Sequence, residues 1–411
     1  MKIHFTKIVD LYLGGLICFL LSVFSPRRAG RVPGDIKRIL VIKILGLGSI
    51  IVMTPMLRSL RKRYPGAEVD FLTRKEHRAL IDLYRLADSV YSVDMDTFPR
   101  FLRSSLSAVG KLRRRRYDLV IDAEFYSKYT AILSWLIRPK SIAGFHSPDI
   151  YRGSLREIRV YFNAYRHMTE NFLELALQVG AESEPTGLTK PRISSRAMSA
   201  VRGLLRDSNV DCFRPYVLLN PHASEVTPQI DRRWPLEYFR KLALALRAGG
   251  YQVIVIDSPG QSDHTGQLAR TAAGAITRLR TEVDLEGLAA LCRGAFCLVT
   301  NDSGPLHLAV SMGTPTFSFF GTETPLLYGY DFPPHTIFYE RLACSPCLSV
   351  FNFKIGRCEF GVRCLRRITP EKVMASFSRQ EGYLRDYWLA RRERGCRPGE
   401  IAPGPATAVP T

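Results

Sequence analysis

Residues 301–321 read NDSGPLHLAVSMGTPTFSFFG and set the architecture of the second half of the chain. The apolar run just before them, Ala295–Val299, predicts a buried strand, and a short helix is predicted to begin within the quoted residues. The turn between strand and helix therefore presents backbone N–H groups at a helix N-terminus, a position that binds anions and most often phosphates. A second strand is predicted at Thr316–Phe320, followed by a turn at Gly321–Thr324. Two such turns on neighbouring strands predict one nucleotide site.

Outward from this region, short Val/Ile/Leu runs alternate with amphipathic helices. The predicted strands are 38–44, 68–72, 89–93 and 117–121 in the first half and 215–220, 251–256, 296–299 and 315–320 in the second, and the predicted helices of the first half lie near 50–63, 75–85, 99–115 and 127–137. This rhythm predicts an α/β fold, because strands that alternate with helices build a parallel sheet covered on both faces. A polar stretch near 181–197 separates the two series, so we predict two Rossmann-like domains.

The composition is that of a folded, basic protein. The 411 residues are 46% hydrophobic and carry a formal net charge of +20. Such a charge suggests a polyanionic neighbour, which can be a nucleic acid, an anionic membrane surface or a phosphorylated substrate. No zinc-finger, ribonucleoprotein or homeodomain-like pattern accompanies the basic residues, so we expect no nucleic acid as a partner. The basic run at 111–116 has two interpretations, a solvated helix end or a contact with lipid.

The first 34 residues differ from the rest. Ile8–Phe24 is a mostly apolar segment, slightly short of the roughly 20 residues that span a bilayer. No small-residue cleavage site follows it, so a removed signal peptide is not expected. Basic residues are denser after the segment than before it, which by the positive-inside tendency places the rest of the chain in the cytoplasm. Three interpretations stay open: a helix that spans the membrane, one that lies in the interface, and one that packs on the protein's own core.

The turn after the first predicted strand contains Gly46 and Gly48. As a dinucleotide fingerprint it is poor, because Ile51 occupies the third glycine position and Asp70 sits inside the second strand instead of at its end. We interpret the two glycines as leaving space for a substrate at the carboxyl edge of the sheet.

Three separated segments carry a family resemblance. They read RILVIKILGLGSIIVMTPMLRSLRKRYPGAEVDFLT at 38–73, VLLNPHASEVTPQIDRRWPLEYFRKLALAL at 217–246 and NDSGPLHLAVSMGTPTFSFFGTETP at 301–325. In this order they resemble glycosyltransferase family 9, the family of the ADP-heptose:lipopolysaccharide heptosyltransferases, and the similarity covers most of residues 37–376. The resemblance implies a GT-B architecture with a cleft between two Rossmann-like domains. It also implies inversion at the anomeric carbon, with no metal or other cofactor required for catalysis.

On this resemblance we expect five segments. They are an N-terminal membrane-associating segment (1–34), an acceptor-binding Rossmann-like domain (35–190), a nucleotide-sugar-binding Rossmann-like domain (191–376), a C-terminal helix (377–394) and a disordered tail (395–411). Gly46 and Gly48 then belong to a loop on the acceptor side.

The resemblance also assigns a donor site. Asp302, Ser303, Gly304 and His307 match the family's donor loop near the diphosphate and the sugar, and Arg232 occupies the place of a lysine that contacts the diphosphate. Arginine suits that place because its N–H groups can hold two phosphate oxygens at once. The other residues expected on the donor side are Asn220, His222, Asp263 and Thr322. Asp302 has an alternative interpretation as a helix N-cap.

The catalytic base is where this sequence departs from the family. Many members have an aspartate just after the first-strand glycines, proposed to deprotonate the acceptor hydroxyl, and here that place is Ser49. A serine hydroxyl cannot act as a base unaided. Glu124 follows another strand at the same edge of the sheet, and we predict it as the replacement base. Its alternative role is a carboxylate that satisfies a helix N-terminus.

We therefore predict a metal-independent, inverting glycosyltransferase that moves heptose from ADP-heptose to a lipopolysaccharide core or related glycolipid. Its expected place is the cytoplasmic face of the inner membrane, with an anionic membrane surface as partner. One alternative is the same fold with another nucleotide sugar. The missing aspartate also permits a catalytically inactive, glycan-binding scaffold in envelope assembly.

Four cysteines, at positions 344, 347, 358 and 364, form a separate cluster. Cys344 and Cys347 have the C-x-x-C spacing, whereas Cys358 and Cys364 are spaced more widely than common zinc ligands. The cluster is open to three interpretations: a structural zinc site, a disulfide staple, or free thiols. Disulfides are disfavoured in a cytosolic protein.

Overall fold

The chain divides into two compact units in this computed structural model. The structure describes residues 3–24, 32–224, 229–256, 262–272, 274–279 and 283–393, without the side chains of 3–5 and 262–265. The first unit comprises the described residues up to Thr186 together with Leu348–Ile355, and the second comprises those of Gly187–Cys347 and from Gly356 onward. The predicted tail, 395–411, lies outside the described residues.

The first unit is built on a sheet of six parallel strands in the order β3-β2-β1-β4-β5-β6. The strands are β1 (Arg38–Ile42), β2 (Glu68–Arg74), β3 (Ser89–Val93), β4 (Leu119–Asp122), β5 (Ser141–His146) and β6 (Ile158–Tyr161). The helices are α1 (Ile3–Val9), α2 (Gly15–Val23), α3 (Leu47–Val52), α4 (Thr54–Arg63), α5 (Arg78–Tyr84), α6 (Phe98–Arg115), α7 (Lys128–Ile137) and α8 (Met168–Leu177), with a π-helical turn at Asp10–Gly14 between α1 and α2. The strand order reverses direction between β1 and β4, which makes their carboxyl ends the place where such sheets bind ligands.

The second unit repeats this plan with the order β12-β11-β10-β7-β8-β9, again all parallel. Its strands are β7 (Tyr216–Asn220), β8 (Gln252–Val255), β9 (Thr277–Arg278), β10 (Cys297–Asn301), β11 (Thr316–Phe320) and β12 (His335–Tyr339). Its helices are α9 (Ser195–Asp207), α10 (Leu236–Ala248), α11 (Ser262–Thr271), α12 (Leu285–Gly294), α13 (Gly304–Ser311), α14 (Pro325–Tyr328), α15 (Arg363–Arg366) and α16 (Pro370–Glu393). Here the reversal lies between β7 and β10.

The prediction of two Rossmann-like α/β units is confirmed. All eight predicted strands are present within a few residues of their expected bounds, while β5, β6, β9 and β12 were not anticipated. Three of these four lack a continuous apolar run: β6 alternates buried and exposed side chains at a sheet edge, β12 is an edge strand that begins with a histidine, and β9 has two residues. Edge strands are half-solvated, so their sequences carry a weaker signal than central strands.

An aromatic core holds the second unit together. Trp234 stacks on Phe319 with ring centroids 4.2 Å apart, and its indole N–H donates to the carbonyl of Ile368 at 2.7 Å. The long helix α16 adds Phe377 and Trp388 to the same core. It begins at Pro370, earlier than the predicted 377, because its first turns already bury apolar side chains. Each fully buried aromatic side chain contributes roughly 1.5–3 kcal/mol.

Residues Leu348–Ile355 leave the second unit in sequence and pack within the first. The ring of Phe351 meets that of Phe125 edge-on at 6.1 Å, and the ring of Phe353 meets that of Tyr126 at 5.9 Å. The ammonium of Lys128 lies 4.2 Å from the Phe353 ring centroid. The sequence placed these eight residues inside a domain spanning 191–376, whereas the structure groups them with the first unit.

The expected apolar helix is present at the N-terminus. The window Thr6–Val23 is long and apolar enough to cross a membrane, and only 11% of it is buried within the protein.

Candidate active site

Two asparagines tie together the loops at the carboxyl ends of β7 and β10. The side-chain amide of Asn220 donates to the hydroxyls of Thr300 and Ser303, each at 2.8 Å. Asn301 accepts the backbone N–H of Trp234 at 2.7 Å and donates to the carbonyl of Pro221 at 3.0 Å. Both asparagines are fully buried, so these hydrogen bonds fix three loops relative to one another at the expected donor end of the sheet.

Arg232 lies within this framework, between two carboxylates. Its Nη2 is 2.5 Å from Asp302 Oδ2 and 3.2 Å from Glu323 Oε1, and its side chain is 9% exposed. Burial acts to lower the pKa of Arg232, but the charges of Glu323 and Asp302 outweigh it and raise the pKa. Nε of Arg232 is buried without a hydrogen-bond partner among the described residues. The guanidinium is therefore charged and bound to the two carboxylates through Nη2, while its Nε–H can still donate a hydrogen bond.

The predicted donor loop opens α13, and its residues differ in their roles. Ser303, not Asp302, occupies the N-cap position, with extended φ of −157°, and Gly304 is the first helical residue. The Asp302 side chain instead pairs with Arg232. This removes the capping interpretation of Asp302, because its carboxylate serves a cation on another loop.

His307 lies one turn into the same helix. Its Nδ1 is 2.8 Å from the hydroxyl of Tyr330, and the imidazole is almost fully buried. His222 and Thr322 are also buried, at the ends of β7 and β11 respectively. The carbonyl of Thr322 accepts the backbone N–H of Cys347 at 3.1 Å. The side chain of Asp263 lies outside the described residues.

In the first unit Glu124 is held by three donors. One carboxylate oxygen accepts the backbone N–H groups of Ile44 and Leu45 at 2.7 and 2.6 Å, and the other is 3.0 Å from the ammonium of Lys43. Lys43 also donates to the carbonyl of Leu45 at 2.6 Å. The structure thus places Glu124 at the carboxyl ends of β1 and β4, as expected, but as an anchor of the glycine loop. Its expected alternative, satisfying a helix N-terminus, is not the contact it makes.

Ser49 lies in α3, directly behind the two glycines. Gly46 has a φ of +80°, a conformation that favours glycine, and a Cβ added there would come 2.9 Å from the Ser49 hydroxyl. Gly48 lies within α3. The loop therefore approaches Ser49 closely, and a side chain at Gly46 would close off that position.

A buried pair of arginines lies beside Glu124 and was missed by sequence reasoning. Arg152 forms an ion pair with Asp122 and donates to the carbonyl of Glu124 at 2.5 Å. Arg156 is 5% exposed, and its Nε and Nη1 have no hydrogen-bond partner among the described residues. Burial, followed by the charge of Arg152, lowers the pKa of Arg156 to about 9. A buried guanidinium with unmet N–H groups favours an anion.

The cysteine cluster contains thiols. Among the described residues no disulfide joins these four cysteines, and no group of three or more His, Cys, Asp or Glu side chains is placed to hold a metal ion. Burial raises the pKa of Cys364 to about 11 and raises that of Cys347 as well. Of the interpretations left open by the sequence, the structure has neither the zinc site nor the disulfide staple. A buried thiol with a raised pKa, such as that of Cys364, is a poor nucleophile.

Two further site residues could have been found from the sequence. Glu323 follows Gly321 and Thr322 directly, at the end of a buried strand, and Lys43 immediately follows β1. Both are charged residues at the carboxyl ends of central strands, where ligands bind in such sheets. Their pairing with Glu124 and Arg232, which the sequence had already singled out, is not visible in the sequence because it depends on the fold.

Comparisons with known proteins identify the family. Residues 106–352 match the model of glycosyltransferase family 9 (heptosyltransferase). Lipopolysaccharide heptosyltransferase 1 of Pseudomonas aeruginosa is 26% identical over 327 residues, which cover 76% of this chain and 86% of that protein. Lipopolysaccharide heptosyltransferase 3 of Escherichia coli is 25% identical over 284 residues, covering 67% and 79%.

A solved structure gives the same fold. The E. coli ADP-heptose lps heptosyltransferase II has a TM-score of 0.66 at 20% identity, covering 86% of this chain and 99% of that one. The predicted GT-B fold is therefore confirmed. Since the family model matches more than half of the chain, this protein belongs to glycosyltransferase family 9 and is a glycosyltransferase.

Proposed function

We propose that this enzyme transfers heptose from ADP-heptose to the core of lipopolysaccharide or a related glycolipid. The observation that carries the proposal is Arg232, a charged guanidinium placed beside Asp302 and the N-terminus of α13. The names of similar proteins, lipopolysaccharide heptosyltransferases, support this choice of sugar and acceptor.

The donor diphosphate is proposed to bind to the N–H groups of Arg232 that the two carboxylates do not occupy. One guanidinium between two carboxylates leaves a net negative charge, so a diphosphate can approach only where the N–H groups are not already engaged. Nε of Arg232 has no partner among the described residues and meets that condition. Asp302 and Glu323 accept hydrogen bonds and cannot donate them when ionised, which fits them to sugar hydroxyls. We assign the phosphates to Arg232 and the backbone N–H groups near Ser303, and the sugar to the carboxylates.

The chemistry we propose is an inverting transfer that needs no metal. The acceptor oxygen attacks the anomeric carbon, loses its proton to a base, and expels the nucleoside diphosphate, whose developing negative charge is stabilised by Arg232. Glu124 is the base we propose, with Lys43 as its counter-ion. A proton accepted by Glu124 would weaken its ion pair with Lys43, and the two amide donors would keep the carboxyl group in place.

The acceptor half is suited to an anionic glycolipid. Arg156 offers buried N–H groups without partners among the described residues, and the whole chain carries a net charge of +20. We propose that the protein works on the cytoplasmic face of the inner membrane, where its apolar N-terminal helix and basic surface meet anionic lipid.

A thermal-shift screen tests the donor assignment. The purified protein is heated with ADP, UDP and GDP and with their sugar conjugates, because a ligand at 100 times its dissociation constant stabilises by about 2.7 kcal/mol. We expect ADP and ADP-heptose to give the largest shifts. A larger shift with UDP or GDP sugars would point to another donor. Glycolipid binding without any nucleotide-dependent shift or transfer would favour the inactive scaffold.

A further inference from the structure

The N-terminal helical segment, Ile3–Val23, is docked along one side onto α7. Asp10 caps this helix: its two carboxylate oxygens accept the backbone N–H groups of Lys128 at 3.0 Å and Tyr129 at 2.7 Å. A carboxylate at a helix N-terminus satisfies free N–H groups and complements the helix dipole. Ser127 is the N-cap residue of α7, and Asp10 adds a second cap from another helix, more than a hundred positions away in sequence, which fixes the segment to the first unit.

Small residues continue this contact at four-residue intervals after Asp10. A Cβ added to Gly14 would come 2.9 Å from Cβ of Lys128, so only glycine permits this close approach. Cys18 is fully buried against Ala131 and Leu155. Four residues slightly exceed one α-helical turn, so residues at this spacing rotate slowly around the helix. The wider π-helical turn at Asp10–Gly14 reduces that rotation and keeps the small residues facing α7.

The contact ends at Ser22. Its hydroxyl accepts the backbone N–H of Ser154 at 2.8 Å and donates to the carbonyl of Cys18 at 2.6 Å. A Cβ on Gly153, which has a φ of +70°, would come 2.5 Å from the same hydroxyl. From residue 10 to residue 22 one side of the segment is therefore matched to the surface beneath it.

The opposite side of the segment is apolar and exposed. Its exposed side chains are Ile8, Tyr12, Leu13, Leu16, Phe19, Leu20, Val23 and Phe24. A continuous exposed apolar strip of this size on a soluble surface marks a site of association. Because the docked side is occupied by protein, only this strip is left for a partner.

We propose that this segment lies flat in the surface of an anionic bilayer, as an in-plane anchor of the acceptor half, and does not cross the membrane. A crossing helix would carry into the hydrocarbon the groups docked on it, including Asp10, the start of α7 and the loop at 151–155. Charged groups and irregular backbone are strongly disfavoured there. A helix lying in the interface needs only its outer strip in the lipid, which is the arrangement of this segment.

Basic charge on a neighbouring helix favours lipid over a protein partner. Helix α6 also packs on α7, with the rings of Phe101 and Tyr129 4.8 Å apart. It exposes Phe98, Leu102 and Leu106 at helical spacing, and its exposed basic residues are Arg100, Arg103, Lys111, Arg113 and Arg114. Apolar side chains flanked by Lys and Arg are the composition that binds anionic membrane surfaces. The inference deepens the proposed membrane location, but its test needs no sugar transfer.

Vesicle binding tests the exposed strip. The full chain is sedimented with vesicles of phosphatidylcholine containing 30% phosphatidylglycerol and, separately, with pure phosphatidylcholine. We expect binding to the anionic vesicles, and at least a tenfold weaker partition for the variant Leu16→Ser/Phe19→Ser/Leu20→Ser. The matched control, Phe213→Ser/Leu244→Ser/Leu389→Ser, replaces three exposed apolar residues of the second unit and should change partition less than twofold. Equal losses in both variants, or no binding by the unaltered protein, would overturn the proposal.

Depth measurements separate an in-plane helix from a crossing one. Four single variants are made, Tyr12→Trp, Leu16→Trp, Leu20→Trp and Phe24→Trp, and the quenching of their tryptophan fluorescence by lipids brominated at different depths is measured against the unaltered protein. An in-plane helix gives the same shallow depth at all four positions. A crossing helix puts one position near the bilayer centre and another at a headgroup, and that result would overturn the inference. The ADP-dependent thermal shift of the same samples reports separately on the proposed function.

Discussion

Lys43 and Glu124 form an ion pair 3.0 Å long where β1 and β4 end, with both side chains less than a tenth exposed. The second oxygen of Glu124 accepts two backbone N–H groups of the glycine loop. One carboxylate therefore both shapes that loop and stands at the edge of the sheet where the acceptor is proposed to bind. The two roles can be separated by mutation.

Glu124→Gln is expected to lower kcat by at least a hundredfold if Glu124 is the base, because an amide cannot take up the proton. The same change also brings an amide N–H₂ against the ammonium of Lys43, which disturbs the loop. The double variant Lys43→Met/Glu124→Gln removes that clash while the glutamine oxygen can still accept the two N–H groups. Steady-state kinetics and melting temperature are measured for both.

Recovery of kcat in the double variant would contradict the assignment of Glu124 as the base and leave it a structural role. If melting temperature recovers while kcat stays low, the carboxylate itself is required. Lys43→Met alone serves as the control for the loss of the ammonium.

Arg232→Lys is expected to weaken ADP binding at least tenfold, since lysine keeps the charge but loses the planar arrangement of N–H groups that holds two phosphate oxygens. Isothermal titration calorimetry with ADP measures the dissociation constant. The neighbouring Arg233→Lys is the matched control, because Arg233 pairs with Asp231 at the surface. An unchanged dissociation constant for Arg232→Lys would remove this residue from the donor site.

Asn301→Ala is expected to lower the free energy of unfolding by roughly 1–3 kcal/mol, because the buried N–H of Trp234 loses its acceptor. Urea unfolding measures the change. Gln178→Ala, which removes an exposed amide paired with Glu174, is expected to change stability by less than about 0.5 kcal/mol. Comparable losses in both variants would show that the hydrogen bonds of Asn301 between the loops stabilise the fold no more than an exposed side-chain pair does.

Acid is expected to destabilise the fold through two buried histidines. Burial lowers the pKa of His77 to about 4 and that of His335 to about 3, below the ordinary value of 6.5. The unfolded chain therefore binds more protons between pH 6.5 and these values, so stability falls as pH falls through that window. At pH 5 each histidine lowers the free energy of unfolding by roughly 2 kcal/mol relative to neutral pH.

Urea unfolding of the unaltered protein and of His77→Gln at pH 7 and pH 5 tests this dependence. Glutamine carries no titrating group, so the pH-dependent loss should be smaller in the variant by about the contribution of one histidine. Equal losses in the two proteins would show that His77 is not buried in its neutral form.

Asp10→Ala is expected to lower the free energy of unfolding by about 1 kcal/mol, the usual value of an N-cap side chain. The cause is the loss of the two hydrogen bonds to Lys128 and Tyr129. Asp35→Ala is the control, because Asp35 pairs with Lys37 at the exposed surface. If the melting temperature of Asp10→Ala equals that of the control, the segment is not docked on α7 in solution.

The sequence predicts central elements better than pairings between them. Strands such as β1 and β10 are continuous apolar runs, and their loops were recognised because glycines and polar residues follow them directly. The edge strand β6 was missed because half of its side chains are exposed. The partnership of Arg232 with Glu323, residues 91 positions apart, depends on the strand order that places β11 and β7 on either side of β10. No local pattern records that proximity.

The return of Leu348–Ile355 to the first unit constrains how the protein is made. Until translation has passed residue 355, the rings of Phe125 and Phe162 lack the partner ring of Phe351. A nascent amino-terminal half emerging from the ribosome thus exposes an unfinished aromatic pocket while the remaining half is still being synthesised. Splitting the gene near residue 190 would therefore separate the first unit from the segment whose Phe351 ring packs against it.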